Sequence, residues 1–249
     1  MPTMPSRTTL LATLALSLAA CGGGDPYQGL DAEALYRMAE NELAEGDAEN
    51  AVEVLQRLHT SFADWPRIPE AGLLLGRAHF EDGEYLTARS EYRRFLDRFA
   101  SHAGAPEAAF GECRSLAALA PHPQRDQGYT EEAITVCGNV VVDYAGTPQA
   151  EEAQALRAEL RHTMAEKEYL NGDHYFRRRQ YDSAIIYFQF VVDLFPETEL
   201  APRALLGLYR SNRAIGYNDL AENARTQLLE EYPDSPEALE LRSDGSSAP

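Results

Sequence analysis

Three cysteines and a set of arginines are the residues of this 249-residue chain whose types and positions suit chemistry. Cys21 stands behind Leu18-Ala19-Ala20, at the end of an uncharged run from Leu10 to Ala20 that follows Arg7. That run has about half the length a helix needs to cross a bilayer, so residues 1–20 read as a signal peptide. Its ending has the form of a bacterial lipobox, in which the cysteine thiol is acylated and the chain is cut just before it. The mature chain would then start at Cys21, and residues 21–30, opening on Gly22-Gly23-Gly24, form the acylated end and a flexible tether. At about 0.8 kcal/mol per buried CH₂, several acyl chains hold a protein on a membrane almost permanently. Gly22, where an Asp would favour retention in the inner membrane, points to the periplasmic face of the outer membrane. An ordinary signal-peptidase site beside an incidental cysteine is the other reading of the same residues.

The rest of the chain lacks the arrangements that catalysis uses. There is no G-x-S-x-G, no H-E-x-x-H and no phosphate-binding loop, and the six histidines share no i, i+4 ligand spacing. Neither an enzyme nor a metal or other cofactor is expected. Forty acidic residues against 22 basic ones give a net charge of -18, which a phosphate backbone repels, so nucleic acid is not an expected partner.

The elements that must carry any binding surface are repeats. An alanine recurs at Ala51, Ala88, Ala133, Ala184 and Ala221, spaced 37, 45, 51 and 37 residues apart. Eleven residues after each comes an aromatic: Phe62, Phe99, Tyr144, Phe195 and Tyr232. Five residues before each lies Gly46, Gly83, Gly128, Arg179 or Gly216, a helix C-cap position at which only the fourth repeat lacks glycine. Apolar residues four and seven positions after the alanine, such as Leu55 and Leu58 or Phe188 and Val191, share one helix face; the last repeat keeps Leu228 but carries Arg225. This pattern resembles the tetratricopeptide repeat: helix A, a tight turn, then helix B with a small residue at the close approach. The expected fold is all-α, a right-handed superhelical solenoid of five such hairpins, with repeats 1–2 over residues 31–107, repeats 3–5 over 108–242 and a disordered polar tail at 243–249.

Two repeats are longer than the others. From the alanine of helix A to the turn the distances are 12, 20, 26 and 12 residues in repeats two to five. The eight extra residues of the third fit a loop at Pro121–Gln127, because its prolines end a helix. The fourteen extra residues of the fourth contain no proline from Ala150 to Phe176, which lengthens its first helix by roughly 21 Å at ~1.5 Å per residue. Cys113 and Cys137 fall on the two helices of the third repeat and can meet. They read either as a disulfide or as two small buried core residues.

The A helices line the concave face of such a solenoid. One stripe on them, containing Ala39, Gly76, Gly172 and Tyr209, sits where helices pack closely. The other, at i, i+4, i+7, groups Tyr36, Glu40 and Leu43; Leu73, Arg77 and Phe80; Tyr169, Asp173 and Phe176; and Leu206, Arg210 and Arg213. Mixed aromatic, aliphatic and arginine content suits a peptide groove, and part of it suits packing between repeats. Arg177-Arg178-Arg179, in an acidic chain, reads as a docking patch for carboxylates or as a solvated helix end.

The run Tyr169-Leu170-Asn171-Gly172-Asp173-His174-Tyr175-Phe176-Arg177-Arg178-Arg179-Gln180-Tyr181, the closing Val191-Val192-Asp193-Leu194-Phe195-Pro196, and the third-repeat loop with Arg125-Asp126-Gln127 resemble the BamD family of outer-membrane assembly lipoproteins. The resemblance spans Cys21 to about Leu241. This chain departs from it at Ala63, Ala100 and Ala145, where the family often has Pro, and at Gln127, again in place of Pro. The resemblance implies a non-enzymatic subunit of the Bam complex, which folds β-barrels into the outer membrane, with BamA and other Bam lipoproteins as partners. It implies that the N-terminal repeats recognise unfolded outer-membrane proteins, a role carried here onto Tyr36, Leu73, Arg77 and Phe80. It implies that the C-terminal repeats dock BamA, a role carried onto Arg177, Arg178, Arg210 and Arg213. A tetratricopeptide lipoprotein scaffolding a pilus secretin or a peptidoglycan enzyme is the alternative that repeats alone leave open.

Overall fold

The structure is a computed structural model that describes residues 26–122 and 125–245. The signal peptide, Cys21 with residues 22–25 of its tether, and residues 246–249 of the tail lie outside the described residues. Among the described residues there are eleven helices and no strand. Ten pair as hairpins in chain order: α1 (Ala32–Glu45) with α2 (Ala48–Ser61), α3 (Ile68–Glu81) with α4 (Tyr85–Phe99), α5 (Ala105–Ala118) with α6 (Gly128–Asp143), α7 (Pro148–Arg177) with α8 (Tyr181–Leu194), and α9 (Leu200–Ala214) with α10 (Asn218–Glu231). The last, α11 (Pro236–Gly245), packs on α9 and α10 as a terminal cap. Ser243–Gly245 therefore continue a helix where the sequence suggests a disordered tail, because Ala238 and Leu241 of α11 bury themselves in the last core. Five helical hairpins packed in chain order, as the repeat pattern predicts, are the fold of the described residues.

The repeat signature acts through packing. All five signature alanines are buried. So are Leu55, Leu58, Tyr92, Phe95, Cys137, Val140, Phe188, Val191 and Leu228, as the four-and-seven spacing predicts. Arg225, at that spacing in the last repeat, turns instead to Glu222 one turn away. The closing aromatics stop the B helices: the N–H groups of Phe62, Tyr144, Phe195 and Tyr232 donate to the carbonyls of Leu58, Val140, Val191 and Leu228. Phe99 instead ends α4 as its last helical residue.

The inter-helix turns follow the glycine pattern in conformation more closely than in residue type. Gly46, Gly83 and Gly216 take the left-handed backbone, with φ between 80° and 84°. Arg179 does the same at φ 60°, so the fourth repeat keeps the turn and accepts a side chain in a region that costs roughly 1–2 kcal/mol for a residue with Cβ. Gly128 is the exception, since it opens α6 and shows no left-handed turn. The inserted loop replaces that turn: α5 ends at Ala118 and α6 starts at Gly128. Gln127 organises the entry, donating from Nε2 to the His122 and Arg125 carbonyls and accepting from the Thr130 hydroxyl at 2.7 Å.

The fourth-repeat insertion forms the 30-residue α7, about 45 Å long at 1.5 Å per residue. Its N-terminus is set by Thr147, whose hydroxyl accepts from the Ala150 N–H, and by Pro148 in the first turn. Leu160 packs in the core of the third repeat, and Met164 and Ala165 in that of the fourth, so one helix joins both. The division between halves at 107/108 falls within the first turn of α5, whose Ala105 and Ala108 share a core with Leu73 and Tyr92.

Candidate functional site

The concave stripe resolves into an N-terminal and a C-terminal surface. In the first repeat Tyr36 is buried, its ring 5.6 Å from that of Trp65 and covered by the Arg67 guanidinium at 4.3 Å. Arg67 in turn pairs with Glu33 at 3.1 Å. Burial, with Glu40 adding to it, raises the Tyr36 phenol pKa above its ordinary value. Leu73 is also buried, in the core shared by repeats two and three. A Cβ on Gly104 would lie 2.3 Å from its Cδ1, so Leu73 fills the space that glycine leaves. Tyr36 and Leu73 thus serve mainly as packing, the second of the two roles the stripe allows.

Arg77 and Phe80 stand differently. Arg77 is exposed and donates from Nε to Glu81 at 2.6 Å. Phe80 is half-buried, with Tyr85 at 5.2 Å and the Arg114 guanidinium 3.9 Å above its ring. Arg114 is the residue sequence reasoning missed. It sits 37 residues after Arg77, the same step that relates the first two repeats, and that register alone could have found it. Tyr92 lies beneath this surface: a Cβ on Gly76 or Gly111 would come within 2.8 or 2.5 Å of its ring, so both glycines are needed for α3 and α5 to close on it. Burial raises the Tyr92 pKa, against the pull of Arg114. Phe80 with Arg77 and Arg114 on either side offers an aromatic face and two forked cations, which suit an aromatic side chain and a carboxylate or carbonyl of an extended peptide.

The C-terminal surface is a cleft of about 450 Å³ between α7, α9 and α11. Tyr169, Phe176, Phe188, Leu206 and Pro236 supply apolar walls, and Asp173, Arg203, Arg210, Glu237 and Glu240 the polar rim. Phe188 sits between Gly172 and Gly207, at which a Cβ would lie 2.7 and 2.6 Å from the ring. The rim charges are paired: Arg210 with Glu240, Arg203 with Glu237 at 3.6 Å, and Arg177 with Asp173 at 2.6 Å. Of the four arginines expected to dock a partner, Arg210 lines this cleft and Arg177 reaches its rim through Asp173. Arg178 caps α7, and Arg213 donates to the Tyr209 hydroxyl at 2.7 Å. Tyr209, expected in the close-packed stripe, is half-buried by this contact and not part of the fully buried core.

Between the two surfaces the third repeat is locked. Cys113 and Cys137 form a disulfide, with Cα atoms 5.0 Å apart and both residues fully buried, which decides between the two readings of the pair. Beside it Glu112 of α5 faces Arg89 at 3.7 Å and Arg93 at 3.8 Å, and Arg89 also pairs with Glu132 of α6. Burial pushes the Glu112 carboxyl pKa up, more than the two arginines lower it. Among the described residues no group of three or more His, Cys, Asp or Glu side chains is placed to hold a metal ion, and no helix is long and apolar enough to cross a membrane.

The chain is similar to known proteins along most of its length. It is 25% identical to an outer membrane protein assembly factor BamD from Caulobacter vibrioides over 92% of this chain and 77% of that one. It is 24% identical to the factor of the same name from Xylella fastidiosa strain 9a5c, covering 94% of this chain and 86% of that one. A solved structure of MamA from Desulfovibrio magneticus aligns with 82% of this chain and 97% of its own, at 20% identity and a TM-score of 0.37. The family described as YfiO, outer membrane lipoprotein, matches residues 29–229, from the first turn before α1 almost to the end of α10. This chain belongs to the YfiO family of outer membrane lipoproteins.

Proposed function

We propose that this chain is the BamD-type subunit of the β-barrel assembly machinery, a lipid-anchored scaffold that receives unfolded outer-membrane proteins and docks on BamA to promote their folding and insertion. The observation that carries this reading is the family match, which runs through all five hairpins and includes both insertions. The Cys21 acyl anchor would hold the solenoid on the periplasmic face of the outer membrane. The scaffold does its work by binding, and no bond-making step is assigned to it.

The client surface is Phe80 with Arg77 and Arg114, and Tyr36 and Leu73 act from below by fixing the helices that present it. The docking surface is the C-terminal cleft, where Arg210 exchanges Glu240 for a carboxylate on the partner; Arg177, Arg178 and Arg213 extend its basic edge. Truncating an anchor of this kind costs roughly 1–2 kcal/mol, about tenfold in affinity. The test uses two variants of the full mature chain. Phe80→Ala should weaken binding of an aromatic-bearing strand peptide from a barrel protein and spare BamA. Arg210→Glu should weaken the soluble periplasmic domains of BamA and spare the peptide. If both variants bind both ligands as the wild type does, the assignment of the two surfaces is wrong.

A further inference from the structure

A second groove lies on the side of α2 and α4, away from the concave stripe. It has a volume of about 510 Å³ and is lined by His59 and Gln56 of α2, Ile68 and Leu75 of α3, and Arg94 and Arg98 of α4. Three features set it apart. Its floor is apolar, with Leu75 buried and Ile68 half-buried. Its wall carries two arginines against one carboxylate: Arg94 pairs with Glu91 at 2.5 Å, whereas Arg98 has only the Phe99 ring, 5.5 Å away, and no ion pair among the described residues. Such a net positive wall stands out in a chain of net charge -18. Finally, His59 presents a buried Nε2 that has no hydrogen-bond partner. A buried polar nitrogen without a partner costs roughly 1–3 kcal/mol, and a ligand carboxylate that draws a proton onto this nitrogen removes the cost.

We infer that the groove between α2, α3 and α4 is a binding site for an acidic-apolar peptide segment. The ligand's carboxylate takes the guanidinium of Arg98 and the imidazole of His59, and its neighbouring aliphatic side chain lies on Ile68 and Leu75. A forked arginine beside an imidazole that the ligand protonates matches a carboxylate in shape and charge, and the apolar floor matches the body that carries it. The site is independent of the concave surfaces, sharing none of their residues. In the free protein, burial holds the His59 pKa below the ordinary histidine value, and Arg94 and Arg98 push the same way, against the Ala71 main chain and Glu91. A bound carboxylate reverses that balance.

The experiment uses the full mature chain and two capped peptides, one with the core Leu-Glu-Leu-Glu-Leu and one with both Glu replaced by Gln. Calorimetry measures affinity, and NMR follows the His59 ring through a pH titration. The acidic peptide should bind at least tenfold tighter than its Gln counterpart and raise the His59 pKa. Arg98→Gln should abolish that preference, whereas Arg225→Gln, on α10 and outside every binding surface described, should leave it unchanged. Arg98 is exposed, so its loss should not unfold the chain, and unchanged melting confirms this. Equal affinity for the two peptides overturns the proposal, as does a preference that survives Arg98→Gln. Vesicles of phosphatidylglycerol serve as a third ligand: a His59 response to them and none to the acidic peptide refutes a peptide occupant.

Discussion

Replacing both Cys113 and Cys137 by alanine removes the one covalent link between α5 and α6 among the described residues, and the structure allows its worth to be estimated. The two cysteines are 24 residues apart in sequence. In the chain-entropy description, closing a loop of that length removes about 3.5 kcal/mol of unfolded-state entropy at 25 °C. Both residues are fully buried beside Leu116, Ala133 and Val140, so loss of the sulfurs also leaves a small void. The loss falls in the middle of the solenoid. Each hairpin there leans only on its neighbours, so repeats on both sides lose an ordered partner. The assay is urea denaturation of the oxidised wild type, the reduced wild type and the double variant, followed by helical circular dichroism. A loss of about 3 kcal/mol should move the midpoint down by roughly 1–3 M, given slopes of about 1–3 kcal/mol per molar urea. The reduced wild type should behave like the variant to within the void term. Midpoints that coincide for the oxidised and reduced protein would refute the reasoning, as would two titratable thiols in the unfolded, unreduced chain.

Three further predictions follow from local geometry. Arg179→Gly relieves the left-handed backbone at φ 60° and should raise stability by about 1 kcal/mol; a lower melting temperature would mean that the arginine side chain contributes more than the turn costs. Gly111→Ala puts a methyl group 2.5 Å from the Tyr92 ring and should cost about 1–3 kcal/mol, and Tyr92→Leu in the same chain should recover part of it. Two carboxylates set opposite pH slopes. Glu112, with its pKa raised by burial, binds its proton more tightly in the folded state, so its charged form disfavours folding at neutral pH and the cost fades as pH falls through the raised value. Glu197, lowered by its hydrogen bond to Arg161, stabilises above the ordinary glutamate pKa and loses that contribution as pH falls through its depressed value. Glu112→Gln should therefore be at least as stable as the wild type at pH 7, with the difference narrowing towards pH 5. A deficit at pH 7 that shrinks in acid would show that the arginines outweigh burial.

The architecture was legible in the sequence because it rests on residues with a single use. An alanine at a helix crossing, an aromatic eleven residues later and a glycine at the turn each report a local contact, and together they fix register. What the sequence misplaced were conformations that a residue type does not compel. Arg179 occupies a glycine conformation without being glycine, and Gly128 begins a helix because the inserted loop and Gln127 take over the turn. The site was legible only in part. A stripe at i, i+4, i+7 puts residues on one face, but how deep each lies depends on the neighbouring repeat. Trp65 and Arg67 cover Tyr36, and Gly104 draws in Leu73, so two of four expected groove residues became packing. Arg114 keeps the 37-residue step from Arg77, because the inserted loop at Pro121–Gln127 lies beyond it. α11 carries no repeat signature, and only its contacts reveal that it closes the last core.

The role proposed for this family member is barrel assembly at the outer membrane. Mass spectrometry of what co-purifies with the full lipoprotein from gently solubilised outer membranes tests it most directly, with Cys21→Ala as the control for anchoring. A large barrel with repeated periplasmic domains should be recovered, and the protein should be lost from the membrane fraction in the control. Recovery of a secretin or a cell-wall hydrolase with no such barrel would contradict it.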